Sequence, residues 1–177
     1  MKQIDILGNF KYLLLFLLFS CQNNKQKTQL GKQLITQNFT ILLDHLDYFK
    51  LSGNPLDVSI YQYVGEIKAD QETVIKKFQD KFKLSNEKID NDPIKLAEIP
   101  QKKIGEYRLF FNSDNTSKSR NDVINVSFVN LVISKNSQYA AVEVVKSLGS
   151  GAKYEIYYFK QVNDKWVFKG KELLALG

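Results

Sequence analysis

Hydrophobic side chains run without interruption from Tyr12 to Phe19, and a polar stretch follows almost at once. The run, Tyr12-Leu13-Leu14-Leu15-Phe16-Leu17-Leu18-Phe19, is far shorter than the roughly 20 residues that a membrane-spanning helix needs. Lys2 and Lys11 precede it, and Ser20 and Cys21 follow it. A positive start, an apolar stretch and a small closing residue are the layout of a secretory signal with its cleavage site. Gln22-Asn23-Asn24-Lys25-Gln26-Lys27-Thr28-Gln29 lacks apolar periodicity, so residues 21–33 read as a polar tether. The competing reading is a buried N-terminal helix with an ordinary core cysteine, to which Asp5 and the late Lys11 lend some support.

Beyond the tether the pattern becomes helical. Leu34, Ile35, Phe39, Leu42, Leu43, Leu46 and Phe49 recur mostly three and four apart, which predicts an amphipathic helix over 34–51. Ser52-Gly53-Asn54-Pro55 ends it. Residues 56–68 are rich in Tyr and β-branched residues and predict a strand, although Gln62 breaks the alternation. Asp70 stands where an N-cap belongs. Val74, Ile75, Phe78 and Phe82 make one helical stripe through 71–83, supported by the Glu72–Lys76 pair. Residues 85–103 read as a connection.

From Ile104 the period changes to two. Ile104–Phe111 predicts a strand and Asn112–Ser119 a polar loop. Val123–Ile133, Tyr139–Lys146, Tyr154–Val162 and Lys165–Leu174 predict four more strands, divided by short spacers of turn residues. Such spacers join antiparallel neighbours, because a parallel crossover needs a much longer connection. Ala140, Val142 and Val144 share a face, as do Tyr154, Ile156 and Tyr158, and Trp166 and Phe168; Glu143, Lys153, Glu155 and Lys169 lie opposite these sets. One face is expected to pack on the helices and the other to be partly wet. The predicted class is α+β: N-terminal helices packed on a C-terminal antiparallel β-meander, in a single domain over 34–177.

Composition narrows the function classes. The 177 residues are 44% hydrophobic and 12% aromatic, enough for an ordinary core. The net charge of +6 comes from scattered lysines, with Arg108 and Arg120 the only arginines. Without an Arg-rich basic cluster, nucleic acid is not an expected partner. Cys21 is the single cysteine and His45 the single histidine. An internal disulfide is excluded, and most Cys/His chemistry goes with it.

Leu18-Phe19-Ser20-Cys21 resembles the lipobox of bacterial lipoproteins. In that family a Leu stands three residues before the cysteine and a small residue just before it; Phe19 is bulkier than usual. The resemblance implies that residues 1–20 are a lipoprotein signal peptide, that Cys21 is lipidated, and that the anchor holds the protein to a membrane. More than one acyl chain is needed for stable anchoring, and the family's cysteine carries more than one. Surface-exported members have an acidic patch soon after the cysteine. None occurs here before Asp44, so the implied location is the outer membrane, facing the periplasm.

Asn125 to Leu174 is similar to a pattern in small lipoproteins of unknown function from Bacteroidota-type bacteria. The matching motifs are Val126-Ser127-Phe128, Tyr139-Ala140-Ala141-Val142, Leu148-Gly149-Ser150-Gly151, Tyr157-Tyr158-Phe159-Lys160 and Asn163-Asp164-Lys165-Trp166. The pair of cysteines that members often carry around the Gly-rich turn is missing. The closing hairpin also resembles nuclear-transport-factor-2-like domains, cone-shaped α+β folds with a pocket.

Candidate chemistry is sparse. Asp44-His45-Leu46-Asp47 is the one His–carboxylate cluster. His45 lies off the helical line that joins Asp44 to Asp47 and reads as a partly exposed surface residue. Asp90-Asn91-Asp92 lacks the spacing of a calcium loop. Gly149-Ser150-Gly151 reads as a hairpin turn rather than a nucleophile elbow. Asn38, Asn115 and Asn125 begin chance glycosylation sequons. Tyr61, Tyr63, Tyr154, Tyr157 and Tyr158 could line a binding face or simply serve as sheet residues. No catalytic, metal or cofactor residue is assigned. The expected role is a non-enzymatic binding or structural one in the periplasm, with the membrane and an unknown protein or envelope partner. The alternatives are a small-ligand-binding domain or modest enzyme of nuclear-transport-factor-2-like type, and an immunity-type lipoprotein.

Overall fold

A computed structural model describes residues 25–49, 57–89, 92–112 and 123–177. Residues 1–20, where a signal peptide is expected, and Cys21 lie outside these residues. Helix α1 occupies 25–37 and α2 Phe39–Leu42, followed by a 3-10 turn at Leu46–Phe49. Then come β1 (Asp57–Tyr61), β2 (Tyr63–Val64), α3 (Gln71–Phe82), β3 (Ile94–Lys95), β4 (Lys103–Ile104) and β5 (Tyr107–Asn112). The chain ends with β6 (Val123–Ile133), β7 (Tyr139–Leu148), β8 (Gly151–Val162) and β9 (Lys165–Leu176). The class is α+β, as expected.

The main sheet runs β4-β5-β1-β6-β7-β8-β9, and β2 pairs with β3 separately. Strands β6 to β9 pair antiparallel, each with the next. The sheet as a whole is mixed, which corrects the purely antiparallel expectation. Strand β1 lies between β5 and β6 and runs parallel to both. Its Val58, Ser59 and Ile60 are all buried, the mark of a strand covered on both faces. The long connection from β1 through α3 to β5 makes a parallel neighbour possible.

The tether reading fails from residue 25 onward, because the chain there is already helical. Gln and Lys are good helix formers, and tertiary contacts fix the segment. Leu34 and Ile35 are fully buried. Gly31 lets α1 approach closely: a Cβ there would lie 2.6 Å from Ile94 Cδ1 and 2.7 Å from Leu131 Cδ2. The helix predicted over 34–51 is interrupted at Asn38. The Asn38 side-chain amide donates to Leu34 O (3.1 Å) and Trp166 O (3.2 Å). Helix α3 matches its prediction. Asp70 takes the N-cap position without a side-chain capping bond, and Lys83 closes the helix in the left-handed region at φ 54°. The strand expected over Ile104–Phe111 is folded back at Gly105 (φ 56°) into the β4–β5 hairpin.

Both sheet faces are covered, which corrects the expectation of one wet face. The helices before β1 cover a large core containing Ile124, Val126, Phe128, Val142, Val144, Tyr157, Phe159 and Trp166. On the other side Val74 and Phe78 of α3 pack on Val132, Ala141, Ile156 and Tyr158. Ala140, Val142, Val144 and Trp166 share the large core as predicted, whereas Ile156 and Tyr158 face α3. The turn between β8 and β9, Asn163-Asp164, has φ values of 49° and 59°. Positive φ at both positions gives a turn whose twist matches that of the hairpin strands.

Replacing Gly31 by Val should lower the urea midpoint by an amount worth about 1–3 kcal/mol, the usual range for overpacking. An unchanged midpoint would mean that this segment does not pack against Ile94 and Leu131.

Candidate functional site

Alternation along β7 carries Lys146 onto the same face as Ala140, Val142 and Val144. Its side chain is completely buried, so the ammonium must find acceptors inside the protein. Nζ donates to the Asp44 backbone carbonyl (2.6 Å), to Asp44 Oδ1 (3.1 Å) and to the Tyr157 hydroxyl (3.0 Å). Glu155 Oε2 lies 3.5 Å away. Lys171 of β9 approaches the same two carboxylates, at 2.9 Å from Asp44 Oδ2 and 2.8 Å from Glu155 Oε1. Lys153 pairs with Glu155 Oε1 at 3.0 Å and sits over the Tyr48 ring.

Tyr157 lies at the centre. Its hydroxyl donates to Asp44 Oδ1 at 2.5 Å, receives bonds from Lys146 and Lys171, and has Glu155 Oε2 at 3.2 Å. Burial and the hydrogen bond to Asp44 push this phenol far above its ordinary value, so it keeps its proton. Burial would raise the Asp44 carboxyl, but bonds from Tyr157 and Lys171 and the Lys146 charge outweigh it and hold it low. Glu155 is likewise held low: Lys171, Lys153 and Lys146 overcome its burial. Burial drives Lys146 down, with Asp44 and Glu155 opposing it.

The chemistry this arrangement performs is cross-linking. All three Lys146 donors are engaged. The bond to the Asp44 carbonyl fixes the chain just before His45, a non-glycine residue at φ 55°. The cluster therefore pins the turn between α2 and the 3-10 segment to the ends of β7, β8 and β9.

A second polar group lies on the α3 side. Asn130 sits in the β6 bulge at φ 44°. It donates to Glu143 Oε2 at 2.6 Å and accepts from the Lys68 amide at 2.8 Å. Burial raises the Glu143 carboxyl above its usual value; Asn130 opposes this and the Asp70 charge adds to it. Both groups hold strands and loops together.

The residues singled out in the sequence are scattered. Asp44 joins the buried cluster. Its His45 neighbour has a 62% exposed side chain, and Nε2 is 3.7 Å from Asp44 Oδ2, beyond a hydrogen bond. Asp47 turns away to accept the Tyr107 hydroxyl at 2.5 Å. Tyr157 and Tyr158 are buried in opposite cores, and Tyr61 lies beside Tyr63 with ring centroids 5.9 Å apart and the rings tilted by 49°. The five tyrosines thus form no common binding face. Ser150 lies in the β7–β8 turn. Asn38 is buried, and Asn125 bonds to the nearby Val123 carbonyl. Cys21, Asp90, Asn91 and Asn115 lie outside the described residues. Lys146, Glu155 and Lys171 were not singled out. The signal for the first two was a charge on an apolar parity: Lys146 with Val142 and Val144, Glu155 with Tyr157 and Phe159.

Compared with protein-family models, curated proteins and solved structures, the chain matches none.

Lys146→Met should cost about 1–3 kcal/mol in urea unfolding, since it strips a donor from the Asp44 carbonyl and from the Tyr157 hydroxyl, while Lys171 still pairs with Asp44 and Glu155. Asp44 and Glu155 are held below their ordinary values of 3.8 and 4.5. In acid the folded state therefore binds fewer protons than the unfolded chain. Their contribution is present above about pH 4.5 and fades as the pH falls through the folded values. The variant should lose part of this acid dependence; an identical slope of stability against pH would remove Lys146 from the account.

Proposed function

We propose that the protein is an envelope lipoprotein with a non-enzymatic binding or structural role. In this reading residues 1–20 are cleaved, Cys21 carries the acyl chains, and the domain faces the periplasm from the outer membrane. The observation that carries it is the order of apolar run, Ser20 and Cys21, followed soon after by a chain that is already helical at residue 25. That helix is docked on the sheet through Leu30, whose carbonyl accepts the Trp166 indole N–H at 3.1 Å. The folded domain is thus held close behind its anchor. We read β6–β9 as the C-terminal meander, serving as a rigid platform.

The character of the polar cluster supports a role without catalysis. Ammonium, carboxylate and phenol are engaged with one another, and the only histidine, 3.7 Å from Asp44 Oδ2, makes no hydrogen bond to that carboxylate. A small-ligand or enzymatic reading would need one of these groups to be released. An immunity-type role is compatible with the anchor but has no residue here that favours it.

The test is metabolic labelling with a fatty acid in a bacterial host. The wild-type chain should take up label and lose residues 1–20, while Cys21→Ser should remain unlabelled and unprocessed. Label in the variant, or mature wild-type protein that retains Met1–Ser20, would overturn the proposal.

A further inference from the structure

We propose that the outer edge of β9 receives an extended, acidic strand of a protein partner, paired main chain to main chain. Strand β9 ends the sheet order, and among the described residues no strand pairs with its outer side. It spans 12 residues, whereas β4 at the opposite end has only two. An edge as long as β9 is a ready template for strand addition.

The edge is closed at one end only. Trp166 N donates to Gln37 Oε1 at 3.0 Å, and Trp166 O accepts from Asn38, so the side chains of Gln37 at the end of α1 and of Asn38 just after it occupy that position. At the other end Gly177 exchanges both main-chain bonds with Ala152, at 2.8 and 2.9 Å. Alternation then turns the main-chain groups of Leu176 outward. Val167, Leu173 and Leu176 are 39%, 51% and 58% exposed, which gives an incoming strand apolar contacts on both sides.

Charge selects the occupant. Lys165 and Lys169 are exposed on β9, Lys160 stands opposite Val167, and Lys81 of α3 lies over the Tyr158 ring beside Gly170. Of the nearby acids, Glu172 is paired with Lys77 at 2.9 Å, Asp164 sits in the turn, and Asp80 is on α3. A strand alternating acidic and apolar residues complements this edge. A second copy complements it less well, because its β9 brings lysines of its own at Lys165 and Lys169, and the one acid of that strand, Glu172, is already paired with Lys77. This inference deepens the binding role proposed above without depending on the anchor.

The test uses the isotope-labelled full-length chain in detergent micelles and a short acetylated peptide of alternating Glu and Val. Saturable amide shifts confined to β9 are expected, with affinity falling about tenfold or more in Lys165→Glu/Lys169→Glu. The same peptide N-methylated at every residue should not bind, since neither of its edges can donate. Absence of shifts at millimolar peptide, equal binding of the methylated or a Lys–Val peptide, or β9 shifts that grow with protein concentration alone would each overturn the proposal. Fatty-acid labelling reads the anchor separately, so a failure of one claim does not pass for a failure of the other.

Discussion

A buried ammonium is the constraint around which the two halves of this molecule are joined. Lys146 has no access to water, and its acceptors come from Asp44, 102 residues earlier, and from Tyr157 on the neighbouring strand. Taking a charge out of water costs several kcal/mol, and a single surface-type pair would not offset that. The offset comes from numbers and geometry: a backbone carbonyl, two carboxylates and a phenol converge on Lys146 and Lys171. Hydrophobic area alone would let the N-terminal helices slide along the sheet. The ionic cluster fixes where they stop, at the turn that contains His45.

That dependence runs in both directions. The Asp44 carboxylate stays ionised because of the sheet lysines, and the lysines tolerate burial because of Asp44 and Glu155. Removing the Asp44 carboxylate would leave the buried Lys146 with only the Asp44 backbone carbonyl, the Tyr157 hydroxyl and Glu155 at 3.5 Å. The same logic operates on a smaller scale at Asn130, where one side chain joins the β6 bulge to β7 and to the Lys68 amide. Polar groups in this domain therefore specify position, while the two apolar cores flanking the sheet provide the cohesion.

Much of the architecture follows from local pattern, and the losses have identifiable causes. The α3 stripe, the β6–β9 strands and the Asn163-Asp164 turn were legible because periodicity and turn chemistry agree there. Segment 25–33 was not, because its few apolar residues hide a docking that depends on Gly31. The faces of β6 and of the second half of β9 depend on irregular pairing. In β6 the large-core residues are Ile124, Val126 and Phe128, then Leu131 and Ile133; the bulge at Asn130 shifts the parity. In β9 Trp166 and Phe168 face the large core, and a register shift near Gly170 brings Lys171 to the same side. Strict alternation would have put Lys171 on the wrong face, so the cluster was only half seen: Asp44 and Tyr157 were named as candidates, but the charges on an apolar parity at Lys146 and Glu155 were not read as a signal.

The irregularity that brings Lys171 inward also shapes the edge beyond it. Bulges and lysines are the means by which proteins discourage edge pairing, and the first half of β9 has both, together with the Gln37 and Asn38 side chains at Trp166. The second half has Leu173, Leu174, Ala175 and Leu176 in succession, with no charge among them. Such an ending is an aggregation hazard for a protein that meets its own kind, tempered here by the second irregularity of pairing at Leu174. The lysines upstream disfavour a lysine-rich strand while leaving the edge open to a strand of opposite charge. Selectivity of this kind needs a repulsive element as well as an attractive one, and here the same side chains supply both.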